Sequence, residues 1–445
     1  MKRGLFVIIS LSIISFFSGG VWTYLFSEDA SREAYKNFGL FTKVYDIVKK
    51  NYVEEPKDDN LVQGSIRGML ESLDPHSVYM TKEEFAEMQA DTRGQFGGLG
   101  IEIAKKNGML TVISPIEDTP AFQAGIKAGD IIAKIMDQPT DKLSIFDAVK
   151  LMRGKPGTTV EIWIRREGVD KLLNFKVKRA VISVKSVTSK VVDGFGVVKI
   201  KQFLEHSADE MQKALKQLSK EAPLKGLVLD LRNNPGGLLQ QAVEVVDTFI
   251  DKGLIVYTQG RDKVQFDKKF AVAKGTEPFY PIVVLVNGGS ASASEIVSGA
   301  LQDHKRAHVM GTQTFGKGSV QNVIPLEDGS GIKLTVALYY LPSGRTIQGL
   351  GITPDKIVKA LDEADALLKE KDLPGHIIGH DEKKGELENP AAAKSEPKKE
   401  KKIDTKGMTA LEKEDFQLAK AIDYLKEKIK LADSDPKKET APVKK

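Results

Sequence analysis

The stretch VNGGSASASEIVSGALQDHKRAHVMGTQTFGKGSVQ, residues 286–321, decides the fold of the central part of the chain. It follows directly on an apolar run of strand length, Val283 to Val286, which Asn287–Gly288–Gly289 breaks. From Glu295 to Leu301 the apolar residues recur at helical spacing. The pattern predicts a buried strand, a tight turn and a helix, which together form one αβ unit.

The turn and the loop after the helix carry side chains suited to nucleophilic catalysis. A serine at a helix N-terminus can attack a carbonyl group there, because unpaired N–H groups and the helix dipole stabilise the developing oxyanion. The serine needs a base to take its proton. Lys317, between Gly316 and Gly318, can be that base if burial lowers its pKa from about 10.4 to roughly 7, which costs about 4 kcal/mol.

Spacing alone leaves three candidates for the nucleophile, Ser290, Ser292 and Ser294. A purely structural interpretation competes with catalysis, because serine is an ordinary N-cap residue and a lysine in a glycine-rich loop can simply be solvated. A G-x-S-x-G elbow is absent from the sequence, which argues against the common α/β-hydrolase arrangement.

A second segment, residues 226–250, repeats the order of apolar strand, glycine-containing turn and amphipathic helix. Its turn contains Pro235–Gly236–Gly237. Adjacent glycines allow backbone N–H groups to point at a ligand in conformations that a Cβ would hinder. The same sequence is also an ordinary turn.

These segments resemble the active-site segments of the carboxyl-terminal processing proteases, also called tail-specific proteases, a family that uses a Ser/Lys dyad and a PDZ domain. In S-A-S-A-S-E the resemblance implies Ser292 as nucleophile, and in F-G-K-G it implies Lys317, 25 residues later, as base. Gln321 completes the implied catalytic set. The run from Asp230 to Gly237 is similar to the family's oxyanion segment. It implies the N–H groups of Gly237 and Ala293 as donors, with Gly236 as a competitor.

Residues 93–180 resemble a PDZ domain through two segments, Phe96 to Ile103 and Ala124 to Ile132. Glycine-rich N–H groups in such a domain grip the terminal carboxylate of a peptide that pairs with the sheet edge. The implied peptide-binding residues are Gly98, Leu99, Gly100 and Ile101. Arg153 is a candidate for coupling peptide binding to the catalytic site. The alternative is that the groove serves only internal packing.

The ends of the chain have different compositions. Residues 1–27 carry Lys2–Arg3 and an apolar core, which predicts a signal peptide or signal anchor and an extracytoplasmic, periplasmic location. Residues 30–92 are predicted to be helical and contain L-D-P-H-S, in which we expect His76 to make a local hydrogen bond rather than join a triad. A linker, partly disordered, is predicted over 361–407, a helix over 408–431, and a charged tail over 432–445.

Composition narrows the class of function. The chain has 445 residues, no cysteine, six histidines and a formal net charge of +5. No thiolate chemistry or disulfide is therefore available, no H-E-x-x-H pattern occurs, and the charge does not indicate a nucleic-acid partner. We expect no cofactor and no metal. The partners that the resemblance implies are a protein with a free C-terminus, an activating adaptor, a second copy of the chain, and a membrane at the N-terminal segment.

The sequence thus predicts a multidomain α/β protein with a PDZ domain inserted in an αβ protease core, residues 181–360, related to the crotonase-like fold. The predicted function is a serine endopeptidase that recognises C-terminal tails of exported proteins and cleaves them with the Ser292/Lys317 dyad. Two alternatives remain. One is a PDZ-based adaptor with an inactive protease domain, and the other is an enzyme that acts on acyl thioesters.

Overall fold

The computed structural model describes residues 35–106, 108–220, 223–262, 266–361, 368–379 and 407–433. The chain divides into two compact units at Ser72. The first unit contains helix α1, residues 35–51, and helix α2, Asp58–Glu71. The predicted signal, residues 1–27, lies outside the described residues. None of the described helices is long and apolar enough to cross a membrane.

The second unit begins with a strand that the sequence analysis missed. Residues 30–92 were predicted to be helical, but β1, Val78–Met80, pairs with a strand near residue 333, and helix α3, Lys82–Arg93, follows it. The prediction was wrong here because three residues are too few for a periodic signal, and β1 adopts its extended form by adding to the edge of an existing sheet. Helix α3 starts with a capping box between Thr81 and Glu84.

The PDZ domain comes next. A two-stranded ribbon at its base joins β2, Gln95–Gly98, to β9, Ala180–Ser183. Between them lie β3 (Ile101–Lys106), β4 (Met109–Pro115), α4 (Pro120–Gln123), β5 (Ile131–Ile135), β6 (Gln138–Pro139), α5 (Ile145–Met152), β7 (Thr159–Arg165) and β8 (Leu173–Lys178). The sheet order is β3-β4-β5-β7-β8, with β6 paired to β5. A separate apolar core, which includes Ile132, Ile162 and Ile164, fills this domain.

The αβ core has two sheets. Its elements are β10 (Val187–Val192), β11 (Phe195–Ile200), α6 (Ser207–Leu218), β12 (Leu227–Asp230), α7 (Leu239–Asp247), β13 (Lys252–Gly260), β14 (Phe266–Val272), β15 (Ile282–Val286), α8 (Ala293–Asp303), β16 (His308–Gly311), β17 (Ser319–Pro325), β18 (Gly331–Tyr340) and β19 (Lys356–Ile357). The first sheet has the order β10-β11-β12-β15-β16-β19, parallel from β11 onward. The second has the order β1-β18-β13-β14, with β17 also paired to β18.

The parallel strands read as continuous apolar runs because both faces of their sheet are covered. Along β15, Ile282, Val284 and Val286 pack with helices α6 to α8. Val283 and Leu285, which point the other way, pack with the C-terminal helix. The carboxyl ends of β12 and β15 lie side by side, because these strands pair in parallel, and the loops that carry the predicted site residues leave from those ends.

The C-terminal segment is part of the core. The predicted helix over 408–431 is two helices, α9, Ala410–Glu414, and α10, Phe416–Asp433, which separate at Asp415. Leu418, Ile422 and Leu425 on α10 are buried against the sheet, so this helix packs within the molecule. Arg232, directly after β12, donates two hydrogen bonds to Asp415 at 2.7 and 2.8 Å and fixes the start of α10.

Residues 368–379, which the structure describes, lie within the predicted, partly disordered linker 361–407. A turn of 3₁₀ helix at Glu370–Asp372 lies there, and the side chain of Glu370 is fully buried. Composition did not reveal this, because a buried charged residue depends on partners that are distant in sequence. The rest of the predicted linker from residue 380 to 406, and the charged tail from 434, lie outside the described residues.

Candidate active site

Two βα loops form one rigid unit at the carboxyl edge of the first sheet. The Ser290 hydroxyl donates to the carbonyl oxygen of Leu231 at 2.8 Å, and the Ser294 hydroxyl donates to that of Asn234 at 2.9 Å. The backbone N–H of Ala291 also donates to the Asn234 carbonyl, at 3.0 Å. Ser290 and Ser294, the two competitors for the role of nucleophile, thus use their hydroxyls to hold the loops together.

Ser292 occupies a strained position between those two serines. Its φ of 54° and ψ of −113° lie outside the regions that a residue with a side chain ordinarily adopts, and it immediately precedes helix α8. Such strain persists only where the surroundings impose it, and it concentrates at functional sites. Its hydroxyl donates to no acceptor among the described residues, and the residue is 9% exposed. Of the three serines, Ser292 is the one whose hydroxyl proton remains available for a base.

The surroundings of Lys317 change its pKa in the direction that the predicted role as base requires. Burial, and then the positive charge of Lys333, lower the pKa of the Lys317 ammonium, while Glu370, Glu295 and Asp74 act in the opposite direction. Within the described part of the chain, the Lys317 Nζ atom has neither a hydrogen bond nor an ion pair. Lys317 is half-buried, and an ammonium that is partly removed from water without gaining a partner is less favourable than a solvated one, so these surroundings shift the equilibrium toward the neutral amine.

Glu295 connects the serine turn to the lysine loop, and the sequence analysis did not assign it a role. One oxygen of its fully buried carboxyl group accepts the N–H of Ser292 at 2.8 Å and that of Lys317 at 2.9 Å. The other accepts the N–H of Gly316 at 2.8 Å and the Thr314 hydroxyl. Burial raises the pKa of Glu295 to about 7, although these four hydrogen bonds oppose the rise.

A sequence signal for Glu295 did exist. Ser292 and Glu295 stand three residues apart at the start of a helix, as the outer residues of a capping box do. In the structure the glutamate caps the backbone N–H of Ser292 and, beyond the ordinary box, reaches the loop around Lys317 as well. A single side chain therefore sets the backbone positions of both proposed catalytic residues.

Gln321 lies on β17, two residues after Ser319, so the two side chains are on the same face of the strand. Its amide nitrogen donates to the Ser319 hydroxyl at 2.9 Å and to the Thr335 hydroxyl at 3.3 Å. Both amide hydrogens are thereby engaged. The amide oxygen accepts no bond among the described residues, which leaves it free to accept one from a neighbouring N–H donor.

The two predicted oxyanion donors are free. Neither the N–H of Gly237 nor that of Ala293 has an acceptor within the described ranges. The competitor Gly236 donates its N–H to the Asn234 side chain at 2.9 Å, so it is already engaged. Gly236 nonetheless lies against the nucleophile turn, because a Cβ built on it would be 2.8 Å from the Ser292 Cβ.

The PDZ loop for which the sequence predicts carboxylate binding has unused backbone N–H groups. The N–H groups of Leu99 and Gly100, between Gly98 and Ile101, have no acceptor in the described part of the chain. Gly100 adopts a φ of 78°, and a Cβ on it would lie 2.3 Å from the Thr119 side chain, so only glycine fits. The carbonyl oxygen of Leu99 accepts the N–H of Ala121 at 2.9 Å, which holds the loop open.

Arg153 follows helix α5 of the PDZ domain and contacts helix α3. Its guanidinium donates to Glu87 at 3.1 Å and to Asp91 at 3.0 Å, and it lies 4.4 Å from the centre of the Phe96 ring.

His76 makes no hydrogen bond to the Ser292 turn among the described residues. Its ring contacts Glu370, and its backbone N–H donates to Asp74, so its main partner is distant in sequence rather than local.

A PDZ domain joined to an αβ core that presents a serine at a strained helix start defines the class as a serine-type peptidase. Comparison with known proteins agrees. Residues 194–358 match the model of Peptidase family S41, residues 97–177 that of the PDZ domain, and residues 23–84 that of the "Activating protease CtpB N-terminal domain".

Curated relatives extend the match over most of the chain. It is 48% identical over 362 residues to the "Carboxy-terminal-processing protease" of Bartonella bacilliformis, covering 79% of this chain and 83% of that protein. It is 39% identical to the "Carboxy-terminal processing protease CtpA" of Bacillus subtilis, covering 71% and 68%. A solved "photosystem II D1 C-terminal processing protease" is 31% identical, covers 72% and 86%, and has a TM-score of 0.44. The chain belongs to peptidase family S41 and is a carboxy-terminal processing serine protease with a PDZ domain.

Proposed function

We propose that this protease captures exported proteins by their free C-termini through the PDZ loop at Gly98–Ile101 and cleaves them with Ser292 and Lys317. The observation that carries the proposal is a half-buried Lys317 amine with no partner among the described residues, in a loop whose backbone the Glu295 carboxyl group joins to the strained Ser292 turn. The site thus combines an available hydroxyl, a lysine with a lowered pKa and two unused N–H donors.

In the proposed mechanism, the Ser292 Oγ attacks the scissile carbonyl carbon while the neutral Lys317 amine takes the hydroxyl proton. The N–H groups of Gly237 and Ala293 stabilise the oxyanion that forms. The Lys317 ammonium then donates a proton to the leaving amine, which gives an acyl-enzyme on Ser292. Water attacks that ester with Lys317 again as base, and the Lys317 ammonium returns the proton to the Ser292 Oγ as the ester bond breaks and the carboxylic acid product leaves. Gln321 accepts an N–H of Lys317 and holds its lone pair toward Ser292.

The cellular setting is part of the proposal. Residues 1–27 direct the chain out of the cytoplasm. The protease then acts in the periplasm, either released or anchored to the inner membrane. We also propose an activating partner, which the match to an activating-protease N-terminal domain supports, and a dimer. Tyr35, Phe38 and Phe41 of α1 are 79%, 69% and 48% exposed, which supports helix α1 as part of the dimer contact. We further propose that the αβ core is related to the crotonase-like fold.

Carboxylate capture is tested with two peptides of identical sequence and an apolar last residue, one with a free C-terminus and one amidated. We expect kcat/KM for the amide to fall by at least tenfold, because the N–H groups of Leu99 and Gly100 then lose a charged acceptor. The core of the site is untouched, so kcat at saturation should stay within about twofold. Equal kcat/KM for both peptides would contradict carboxylate capture. Binding without cleavage would favour the adaptor, and hydrolysis of a thioester alone would favour the acyl-thioester enzyme.

A further inference from the structure

The L-D-P-H-S turn, Leu73 to Ser77, is linked through intermediate side chains to both flanks of Lys317. Asp74 in this turn is 4% exposed. Its carboxyl group accepts the N–H groups of His76 and Ser77 at 2.8 and 2.9 Å, and the hydroxyls of Ser77 and Thr335 at 2.6 and 3.0 Å. Burial alone would raise the pKa of Asp74, but these hydrogen bonds hold it below its ordinary value. Asp74 is therefore an ionised, fully occupied acceptor.

The first flank is reached through Thr335. A carboxylate cannot donate, so the Thr335 hydroxyl must give its proton to Asp74 and can only accept from its other neighbour. The Ser77 hydroxyl lies 3.4 Å from that of Thr335 but gives its proton to Asp74 at 2.6 Å. The neighbour that donates to Thr335 is therefore the Gln321 amide nitrogen at 3.3 Å. The charge on Asp74 thus dictates which end of the Gln321 amide faces Thr335. It leaves the amide oxygen on the opposite side.

The second flank is reached through Glu370. The His76 ring nitrogen Nε2 lies 2.9 Å from both carboxyl oxygens of Glu370, and the Gln348 amide nitrogen donates to Glu370 at 3.1 Å. The Gln348 amide oxygen accepts the N–H of Gly318 at 2.9 Å. A Cβ on Gly318 would lie 2.4 Å from the Gln348 backbone nitrogen, so the residue after Lys317 is also held by close packing.

We propose that the Leu73–Ser77 turn is a positioning element for Lys317, with Asp74 acting through Thr335 on Gln321 and His76 acting through Glu370 and Gln348 on Gly318. The inference rests on the Ser292/Lys317 mechanism proposed above. Lys317 itself faces four charged groups, each from a different element: Lys333 on β18, Glu295 on α8, Asp74 in the turn and Glu370 in the 3₁₀ turn.

The orientation of Gln321 matters because a neutral lysine has only one lone pair. With the amide oxygen toward the lysine, Gln321 accepts an N–H and the lone pair remains for the Ser292 proton. A reversed amide would donate to that lone pair and compete with Ser292. It would also place a donor beside the ammonium, which disfavours the charged form and lowers the pKa of Lys317 further.

The test is Thr335→Val, which removes the hydroxyl and keeps the shape. We expect kcat to fall about tenfold, because the Gln321 amide loses the hydrogen bond that orients it. KM should stay within twofold, and the acid limb of the kcat/KM profile should move to lower pH. Thr335→Ser, which restores the hydroxyl, should recover both. Thr258→Val is the matched control. It is the same substitution, and Thr258 lies on β13, which pairs with β18 in the same sheet. We expect it to leave every parameter unchanged.

A second readout does not need turnover. Pulsed acetylation followed by peptide mass spectrometry gives the pKa of Lys317 directly, and we expect it to be lower in Thr335→Val and in Glu370→Gln than in the wild type. Ser292→Ala distinguishes a failure of the Ser292/Lys317 mechanism from a failure of the positioning inference. If that variant cleaves normally, the proposed mechanism fails. The positioning inference is overturned, and the mechanism stands, under three conditions together. Ser292→Ala is inactive, Thr335→Val has the same kcat and pH profile as Thr258→Val, and the pKa of Lys317 is unchanged in Thr335→Val and Glu370→Gln.

Discussion

The contact between Gly236 and the Ser292 turn allows a quantitative prediction for Gly236→Ala. A Cβ at this position would lie 2.8 Å from the Ser292 Cβ, 2.8 Å from the Ala291 carbonyl oxygen and 3.0 Å from the Ala293 nitrogen. Ordinary carbon–carbon contact begins at about 3.5–4.0 Å, so one of the two loops must move by about 1 Å. Gly236 also has a φ of 100°, where an alanine adds roughly 1–3 kcal/mol of strain.

A displacement of about 1 Å at the nucleophile lowers the rate by about 10²-fold, because attack requires near-contact geometry. We therefore expect kcat for a quenched fluorogenic peptide to fall by about two orders of magnitude. KM should change by less than threefold, since the PDZ loop lies in a separate domain with its own core. Urea unfolding should show a loss of about 2–6 kcal/mol, the sum of roughly 1–3 kcal/mol of backbone strain and 1–3 kcal/mol of overpacking.

Gly275→Ala is the matched control. Gly275 has a φ of 92°, and no atom lies within 4 Å of a Cβ built there. It therefore introduces similar backbone strain without a clash, and we expect it to lose stability but keep the wild-type kcat. The reasoning would be refuted if Gly236→Ala retained the wild-type kcat, or if both variants lost activity equally.

Three further predictions follow from the same contacts. Lys317→Arg keeps the charge but cannot supply a neutral base, so its kcat should fall by about 10²–10⁴-fold with the thermal unfolding midpoint nearly unchanged; comparable turnover would rule out Lys317 as base. Lys333→Gln removes the positive charge that lowers the pKa of Lys317, so the acid limb of its kcat/KM profile should move to higher pH, whereas a shift the other way would show that Lys333 acts differently. Asp415→Asn should lower the free energy of unfolding at pH 7 by about 1.5–3 kcal/mol, because it breaks the charged pair with Arg232 that fixes α10. Folding lowers the pKa of Asp415, so the stabilisation by this ion pair is fully present above the unfolded pKa of Asp415 and is lost as the pH falls through its folded pKa. A difference in stability between the wild type and Asp415→Asn that persists in strong acid would exclude the ion pair as the cause.

The sequence was informative wherever function depends on local pattern. The αβ units around Ser292 and Asp230, the PDZ segments, and Lys317 between two glycines were all predictable, because strand, turn and helix signals are written within short windows. The choice of Ser292 over Ser290 and Ser294 came only from family resemblance. The hydrogen bonds of those two hydroxyls to Leu231 and Asn234 supply a physical reason that spacing could not give.

The parts that the sequence did not predict depend on contacts between distant residues. Glu370 stands 294 residues after its partner His76, in a segment whose composition suggested a linker. Strand β1 exists only because β18 offers it an edge. Glu295 is intermediate, since its capping-box spacing is local but its bonds to Gly316 and Lys317 are not. Long-range polar networks of this kind leave little trace in a single sequence.

Cleavage by the wild type and by Ser292→Ala tests the central claim most directly. Both proteins, without residues 1–27, are incubated with an unfolded protein that ends in an apolar free carboxylate, and the fragments are followed by mass spectrometry. Ser290→Ala serves as the control for loss of a neighbouring hydroxyl. The account predicts fragments from the wild type, some remaining cleavage by Ser290→Ala, and none by Ser292→Ala. Fragments from Ser292→Ala at the wild-type rate would contradict it.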